Sequence, residues 1–301
     1  MSAILAVANG GAGAWVNAIV QGVLLGGLYA LLATGLSLSF GVMRFVNLAH
    51  GDVAVLSAFM AFSTARTFHV NPLYALLLVI PGGFLVGLLV QRYVFDRLIG
   101  GDPSLQIVAT FGLSIVIQNA LWKKYTADTR GLKIGKVATR SIRLNNSVAI
   151  GWLPLITFLC GVGVLAGLAL FLKRTRLGRA FRATSDDPAA AQLMGIDNRR
   201  IYGIATAIAM ATVALAGVLI GSKSSFDPFL GPANLIFAFE AVVIGGLGSL
   251  WGTLAGGIAL GVAQSVGLKL DAGWGELAGH IVFLAVLAFR PTGMFGKLGN
   301  R

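Results

Sequence analysis

Long apolar stretches separated by short polar ones dominate the chain, and their lengths set the first expectation. A helix rising about 1.5 Å per residue needs about 20 apolar residues to cross the hydrocarbon of a membrane. The first such stretch runs from Trp15 to Val42. A second runs from Val53 to Phe68 and a third from Leu73 to Phe95, parted by the turn-forming His69, Asn71 and Pro72. A fourth, Leu105 to Trp122, lies between Asp102-Pro103 and Lys123-Lys124, and a fifth occupies Ile150 to Leu172. After a basic stretch from Lys173 to Arg200, apolar sequence returns from Ile201 to Ser222 and breaks at Lys223 to Pro232. It resumes as Leu235 to Leu247, Leu250 to Leu270 and Leu277 to Phe289. The first and last of these three are short for an untilted span. The pattern predicts an all-α, polytopic integral membrane protein with about 8 to 9 transmembrane helices, one of them broken or re-entrant. It forms one transmembrane domain over residues 1–301, with 173–200 as a loop within it.

Composition narrows the class further. Charged residues make up 11% of the chain and hydrophobic ones 56%, against roughly 25% charged in soluble domains. A soluble globule of this size could not clothe its surface, and collagen, disorder and a disulfide scaffold are excluded. The single cysteine, Cys160, lies in an apolar run and is expected to pack, not react. Arg44 is the first cation, so the N-terminus lacks the basic region of a secretory signal and Met1 is expected to be retained.

The net charge of +12 is concentrated in loops and does not point to nucleic acid. Lys173, Arg174, Arg176, Arg179, Arg182, Arg199 and Arg200 fall in one loop, and Arg290, Lys297 and Arg301 in the tail. The excess of cations on inner loops makes both regions cytoplasmic, and counting back through five spans puts the N-terminus outside. The loop 123–149 resists this rule: it carries Lys123, Lys124, Arg130, Lys133, Lys136, Arg140 and Arg143 against Asp128 alone, yet the count places it outside. It is either a solvated basic loop or a surface that attracts an acidic partner or anionic solutes.

Glycines four apart lie on one helix face and admit a neighbouring backbone. Such pairs occur at Gly22/Gly26, Gly83/Gly87, Gly163/Gly167 and Gly217/Gly221, and a triple at Gly248, Gly252 and Gly256. With 41 glycines only the triple stands clear of chance.

Enzymatic chemistry finds no purchase. The chain has no G-x-x-x-x-G-K-[ST], no H-E-x-x-H, no C-x-x-C and no G-x-S-x-G, and its histidines, His50, His69 and His280, are scattered. Neither a catalytic nor a metal site is expected. Polarity at membrane depth stands out instead. The segment 41–52 interrupts two apolar runs with Arg44, Asn47, His50, Gly51 and Asp52, so it either lines a pathway or forms a cytoplasmic turn with a helix start at Asp52. Glu240 has no cation within ten residues on either side. Such a carboxylate is protonated, pairs with a cation from another helix, meets a translocated ammonium group, or reaches water. Phe237 and Phe239 beside it offer an apolar pocket. In the basic loop, Asp186, Asp187 and Pro188 supply a cap and first-turn proline for a short helix, 189–194, that stops at Gly195. It suits either a gripping protein or anionic lipid headgroups.

Three motifs together resemble the permease subunits of ABC importers for branched-chain amino acids. The first is Gly26-Gly-Leu-Tyr-Ala-Leu-Leu-Ala33 leading to Phe40-Gly-Val-Met-Arg-Phe-Val-Asn-Leu-Ala-His-Gly-Asp52. The second, Thr175-Arg-Leu-Gly-Arg-Ala-Phe-Arg-Ala183 followed by Asp187-Pro-Ala-Ala-Ala-Gln-Leu-Met-Gly-Ile196, is similar to the family's coupling loop, E-A-A-x-x-x-G. The third is the glycine-rich run from Ala241 to Gly257. Ala189 stands where the coupling pattern has Glu, while Ala190, Ala191 and Gly195 keep their places.

The resemblance implies the ABC importer permease fold in a bacterial inner membrane. It also implies a second homologous permease, two cytoplasmic ATP-binding subunits and a periplasmic or extracellular solute-binding protein. ATP would be bound by the partners, leaving no cofactor on this chain. Asp187, Pro188, Ala190, Ala191 and Gly195 would couple to the ATPases. Asn47, His50, Asp52, Phe239 and Glu240 are the candidates for the pathway. The polar breaks at 43–52 and 245–252 raise the further expectation of an inverted repeat. Urea, short amides or aromatic acids are alternative cargoes, and an autonomous secondary transporter is the competing class.

Overall fold

The computed structural model describes residues 11–145 and 148–295; Met1, Lys297 and Arg301 lie outside them. In chain order the helices are α1 (Ala12–Met43), α2 (His50–Phe68), α3 (Leu76–Tyr93), α4 (Pro103–Tyr125) and a single turn α5 (Lys136–Thr139). A hairpin of β1 (Ser141–Asn145) and β2 (Val148–Gly151) leads into α6 (Trp152–Arg174). Then come α7 (Arg176–Asp186), α8 (Pro188–Leu193), α9 (Asn198–Lys223), α10 (Gly231–Gly245), α11 (Leu250–Leu270) and α12 (Trp274–Phe289). Six of these, α1, α3, α4, α6, α9 and α11, are long and apolar enough to cross a membrane. With α2 and the shorter α10 and α12 they account for all nine apolar stretches. The fold is all-α apart from the hairpin.

Local chemistry sets the helix ends. Asp102 caps α4 by accepting a bond from Ser104 N, with Pro103 in the first turn. Ser249 does the same for α11 through Gly252 N. Arg44 and His69 end α1 and α2 in the left-handed region, at φ 52° and 53°.

α1 and α9 form the buried centre, while α3, α4 and α6 turn most of their surface outward. Glycine permits the closest packing. A Cβ on Gly22 would lie 2.6 Å from the Cα of Val262, and one on Gly26 would overlap the backbone at Ile258, so α1 and α11 touch backbone to backbone. Gly83 and Gly87 seat α3 against α9 in the same way, whereas Gly163 and Gly167 meet nothing within 4 Å.

Two helix pairs are interrupted, from opposite faces. After α1, residues 44–49 turn back into the protein: Phe45 packs edge-on against Phe95, and His50 Nε2 donates 2.9 Å to the carbonyl of Leu32, well inside α1. After α9, residues 224–230 turn back from the other face, where Phe226 packs against Phe59, before α10 begins. The first turns of α2 and α10 then meet, and a Cβ on Gly51 would overlap the carbonyl oxygen of Gly231. The fifteen residues of α10 span only about 22 Å, short of a bilayer because the helix starts within it. The second interruption therefore falls at 224–230 and not at 245–252. The latter is a tight turn between the neighbouring helices α10 and α11, made possible by Gly246 and Gly248 at φ 103° and 79°. Pairings repeat across the interruptions: α1 with α11 and α9 with α3, α2 with α4 and α10 with α12. This is the pattern of two inverted halves.

The loops sort onto two faces. At one, Gln21 Nε2 bonds Ala149 O, and Arg130 pairs with Phe226. At the other, Ser185 Oγ bonds Gly41 O, while Met294 N and Phe295 N bond the carbonyls of Ile244 and Gly245. The loop 175–197 and residues 290–295 thus share a face, opposite residues 126–145 and 148–151.

Candidate functional site

The loop 175–197 folds as two helices, where sequence reading found one. Thr175 caps α7 by accepting from Gly178 N, and Gly178 is pressed against the carbonyl of Leu172, which turns α7 sharply off α6. Asp187 then caps α8, its Oδ1 taking bonds from Ala189 N at 2.9 Å and Ala190 N at 3.0 Å, with Pro188 in the first turn. Gly195, at φ 82°, closes the helix, and Ile196 N reaches back to Ala191 O at 3.0 Å. Ala191 is buried beneath α8, whereas Ala190 is exposed.

Sequence reading passed over two features here. Asn198 is buried and ties the loop together, donating to Pro188 O at 2.7 Å and accepting from Thr184 Oγ1 at 3.2 Å. Leu193 and Met194, at the tip, are 89% and 82% exposed. Large apolar side chains held into solvent on a capped, braced turn mark a surface made to be covered. Behind the loop a cleft of about 840 Å³ opens between α7, the α10–α11 turn and the tail, with Lys173, Arg182, Trp251 and Phe295 among its walls.

The pathway candidates fall into two groups. Asn47, His50 and Asp52 lie together at the first interruption, all buried. Asn47 Oδ1 accepts from Ala49 N and starts the turn into α2. Asp52 Oδ2 takes a 2.5 Å bond from Ser114 Oγ, and Oδ1 a 2.9 Å bond from Gln118 Nε2, fastening α2 to α4 beside Gly231. Phe239 and Glu240 lie on α10, apart from this group. Phe239 is part-exposed and tilts towards Phe283 at 6.5 Å. Glu240 is buried and pairs with His280 Nδ1 on α12 at 2.5 Å, so its partner comes from another helix. Gly252 and Gly256 bear on the backbone of α10 at Gly245 and Ala241, and Gly248 faces Gly41. Among the described residues no three His, Cys, Asp or Glu side chains group as metal ligands.

The profile of the family described as branched-chain amino acid transport system, permease component, matches residues 18–289. The chain belongs to that family. The permease is 29% identical over 296 residues to the high-affinity branched-chain amino acid transport system permease protein BraD of Pseudomonas aeruginosa, covering 94% of this chain and 96% of BraD. It is 27% identical over 300 residues to the permease protein LivH of Salmonella typhimurium, covering 92% and 94%. To the autoinducer 2 import system permease protein LsrC of Photorhabdus laumondii it is 30% identical over 271 residues, covering 86% and 77%. The permease is a multi-pass membrane protein, matched to these relatives through nearly its whole length.

Proposed function

We propose that the chain is the permease subunit of an ATP-driven importer for branched-chain amino acids, forming half of a translocation pathway. The whole chain, 1–301, is one transmembrane permease domain, with 173–200 as its cytoplasmic coupling loop. In this reading α8 sits in a groove of a cytoplasmic ATPase. Asp187 and Pro188 set its start, Ala190 and Ala191 its face and Gly195 its end. The observation that carries the reading is the exposed Leu193–Met194 tip on a braced, capped helix. The N-terminus lies outside and the C-terminus in the cytoplasm of a bacterial inner membrane. The basic loop 123–149 then faces the solute-binding protein. A second permease and two ATPases complete the machine, and ATP binds to the ATPases alone. Asn47, His50, Asp52, Phe239 and Glu240 belong to the moving interior along the pathway, and the glycines at 248, 252 and 256 hold α10 against α11.

The names of BraD and LivH support the cargo. LsrC, whose name speaks of a different solute, makes cargo the first thing to measure. In proteoliposomes holding both permeases, both ATPases and the binding protein, ATP is expected to drive uptake of radiolabelled leucine. Unlabelled isoleucine and valine are expected to compete, and urea is not. Sustained uptake by this chain alone, without ATPases, would overturn the importer reading.

A further inference from the structure

Helices α1, α10, α11 and α12 meet around a polar cluster that packing does not explain. Glu240 on α10 is 3% exposed; its Oε1 accepts from His280 Nδ1, while Oε2 has no partner among the described residues. Gln264 on α11 is 4% exposed; its Oε1 accepts from the Tyr29 hydroxyl of α1 at 2.6 Å, and its Nε2 is likewise without a partner. α12 draws the two residues towards each other. Gly279 makes room for Gln264, since a Cβ there would lie 3.1 Å from Gln264 Nε2, and the next residue, His280, holds Glu240. The ring of Phe237 touches both of their partners, 5.2 Å from that of Tyr29 and 6.1 Å from that of His280, nearly parallel to the latter at 7°.

A buried polar atom without a partner costs stability, and a charged one costs most. Nothing among the described surroundings offsets that cost at Glu240 Oε2 and Gln264 Nε2, so the orphaned pair calls for a ligand. One atom is an acceptor on an anionic group and the other a donor on a neutral amide. Their complement is a molecule carrying an ammonium and a carboxylate close together. A lone anion meets repulsion from Glu240. A metal ion finds one free carboxylate oxygen and an amide whose oxygen Tyr29 already occupies, too few hard ligands to hold it. The rings of Phe237 and Tyr29 supply an apolar wall for a side chain.

We infer that Glu240 and Gln264 contact the backbone of an α-amino acid cargo, the ammonium group on Glu240 Oε2 and the carboxylate on Gln264 Nε2. His280 and Tyr29 act as positioning residues. The inference rests on the amino-acid reading above and extends it to named atoms. In this conformation both atoms are closed off. His280, with 39% of its side chain exposed, forms the rim, and the cargo reaches the two atoms as α12 moves off α10 during the change of access.

The test uses the complete transporter in proteoliposomes, with radiolabelled leucine as the probe. Glu240→Gln keeps the shape of the side chain and its acceptor for His280, and Gln264→Glu keeps the size and the acceptor for Tyr29 while replacing the free donor with an oxygen. Each is expected to lower leucine uptake per ATP hydrolysed at least about tenfold, the scale of one charge-assisted hydrogen bond. ATP hydrolysis stimulated by loaded binding protein, and the yield of assembled transporter, are expected to stay near wild type. The double variant is expected to be no worse than the poorer single one, because both atoms hold one ligand. Wild-type uptake of leucine with both variants within twofold of it would overturn this assignment alone, as would losses of uptake and assembly in proportion. A wild-type transporter that moves no amino acid would overturn the cargo reading and the assignment with it.

Discussion

Gly256→Val is expected to leave almost no folded permease, while Gly163→Val folds like the wild type. Both glycines sit in apolar helices with a second glycine four residues away, and nothing local separates them. The difference lies in what each faces. A Cβ on Gly256 would overlap the carbonyl oxygen of Ala241 and come within 2.7 Å of Gly245 N, so helix backbone meets helix backbone. A Cβ on Gly163 meets nothing within 4 Å. Overpacking a core costs about 1–3 kcal/mol where side chains can shift aside. Backbone cannot shift without parting α10 from α11, so the cost at Gly256 exceeds that range. The yield of monodisperse protein, read by fluorescence-detected size exclusion of tagged variants, checks this. Equal yields for the two variants would show that these helices do not pack as described.

Leu193→Asp and Ala190→Asp are expected to cut uptake at least about tenfold while leaving the permease fully folded, as surface substitutions do. Leu193 is almost wholly in solvent and Ala190 lies on the exposed side of α8, so neither change disturbs an internal contact. In the proposed assembly both meet the ATPase, where a new carboxylate is buried without a partner. The ATPases should go on hydrolysing ATP, and the permease's melting temperature should not move. The comparison is uptake per ATP in proteoliposomes, with thermal melting of each variant alongside. Normal uptake by both variants would remove α8 from the coupling path. Loss of stability in step with uptake would make it a packing element instead.

Most of the helices are legible in the sequence because their signals are local. Apolar runs of spanning length, the Asp102-Pro103 and Asp187-Pro188 starts and the stop at Gly195 can be read within a few residues. The single-turn motif around Ala190 was visible for the same reason. α7 was not, because its stretch is basic and contains Gly178, which hid the helical spacing of Gly178, Phe181 and Thr184 on its buried face; its start depends on the Thr175 cap and its seat on packing of Phe181 against Phe171. The interruptions show the limit most clearly. Residues 245–252 look like a break because they are rich in glycine, yet that glycine serves a tight turn. The inward course of 224–230 depends on Phe226 meeting Phe59 and Arg130, far away in sequence. Glu240 was visible as an isolated carboxylate, but its partner His280 lies forty residues on, and neither residue carries a local sign of the other.

The central claim is that force from the cytosol enters the permease through α8. It is tested most directly by the side of the membrane on which that helix lies. In a Cys160→Ser background, Met194→Cys places one thiol at the exposed tip. A membrane-impermeant maleimide should label it in inside-out vesicles and not in intact spheroplasts. Protection by bound ATPase subunits should follow. Labelling from outside the intact cell would place α8 on the wrong face and contradict the account.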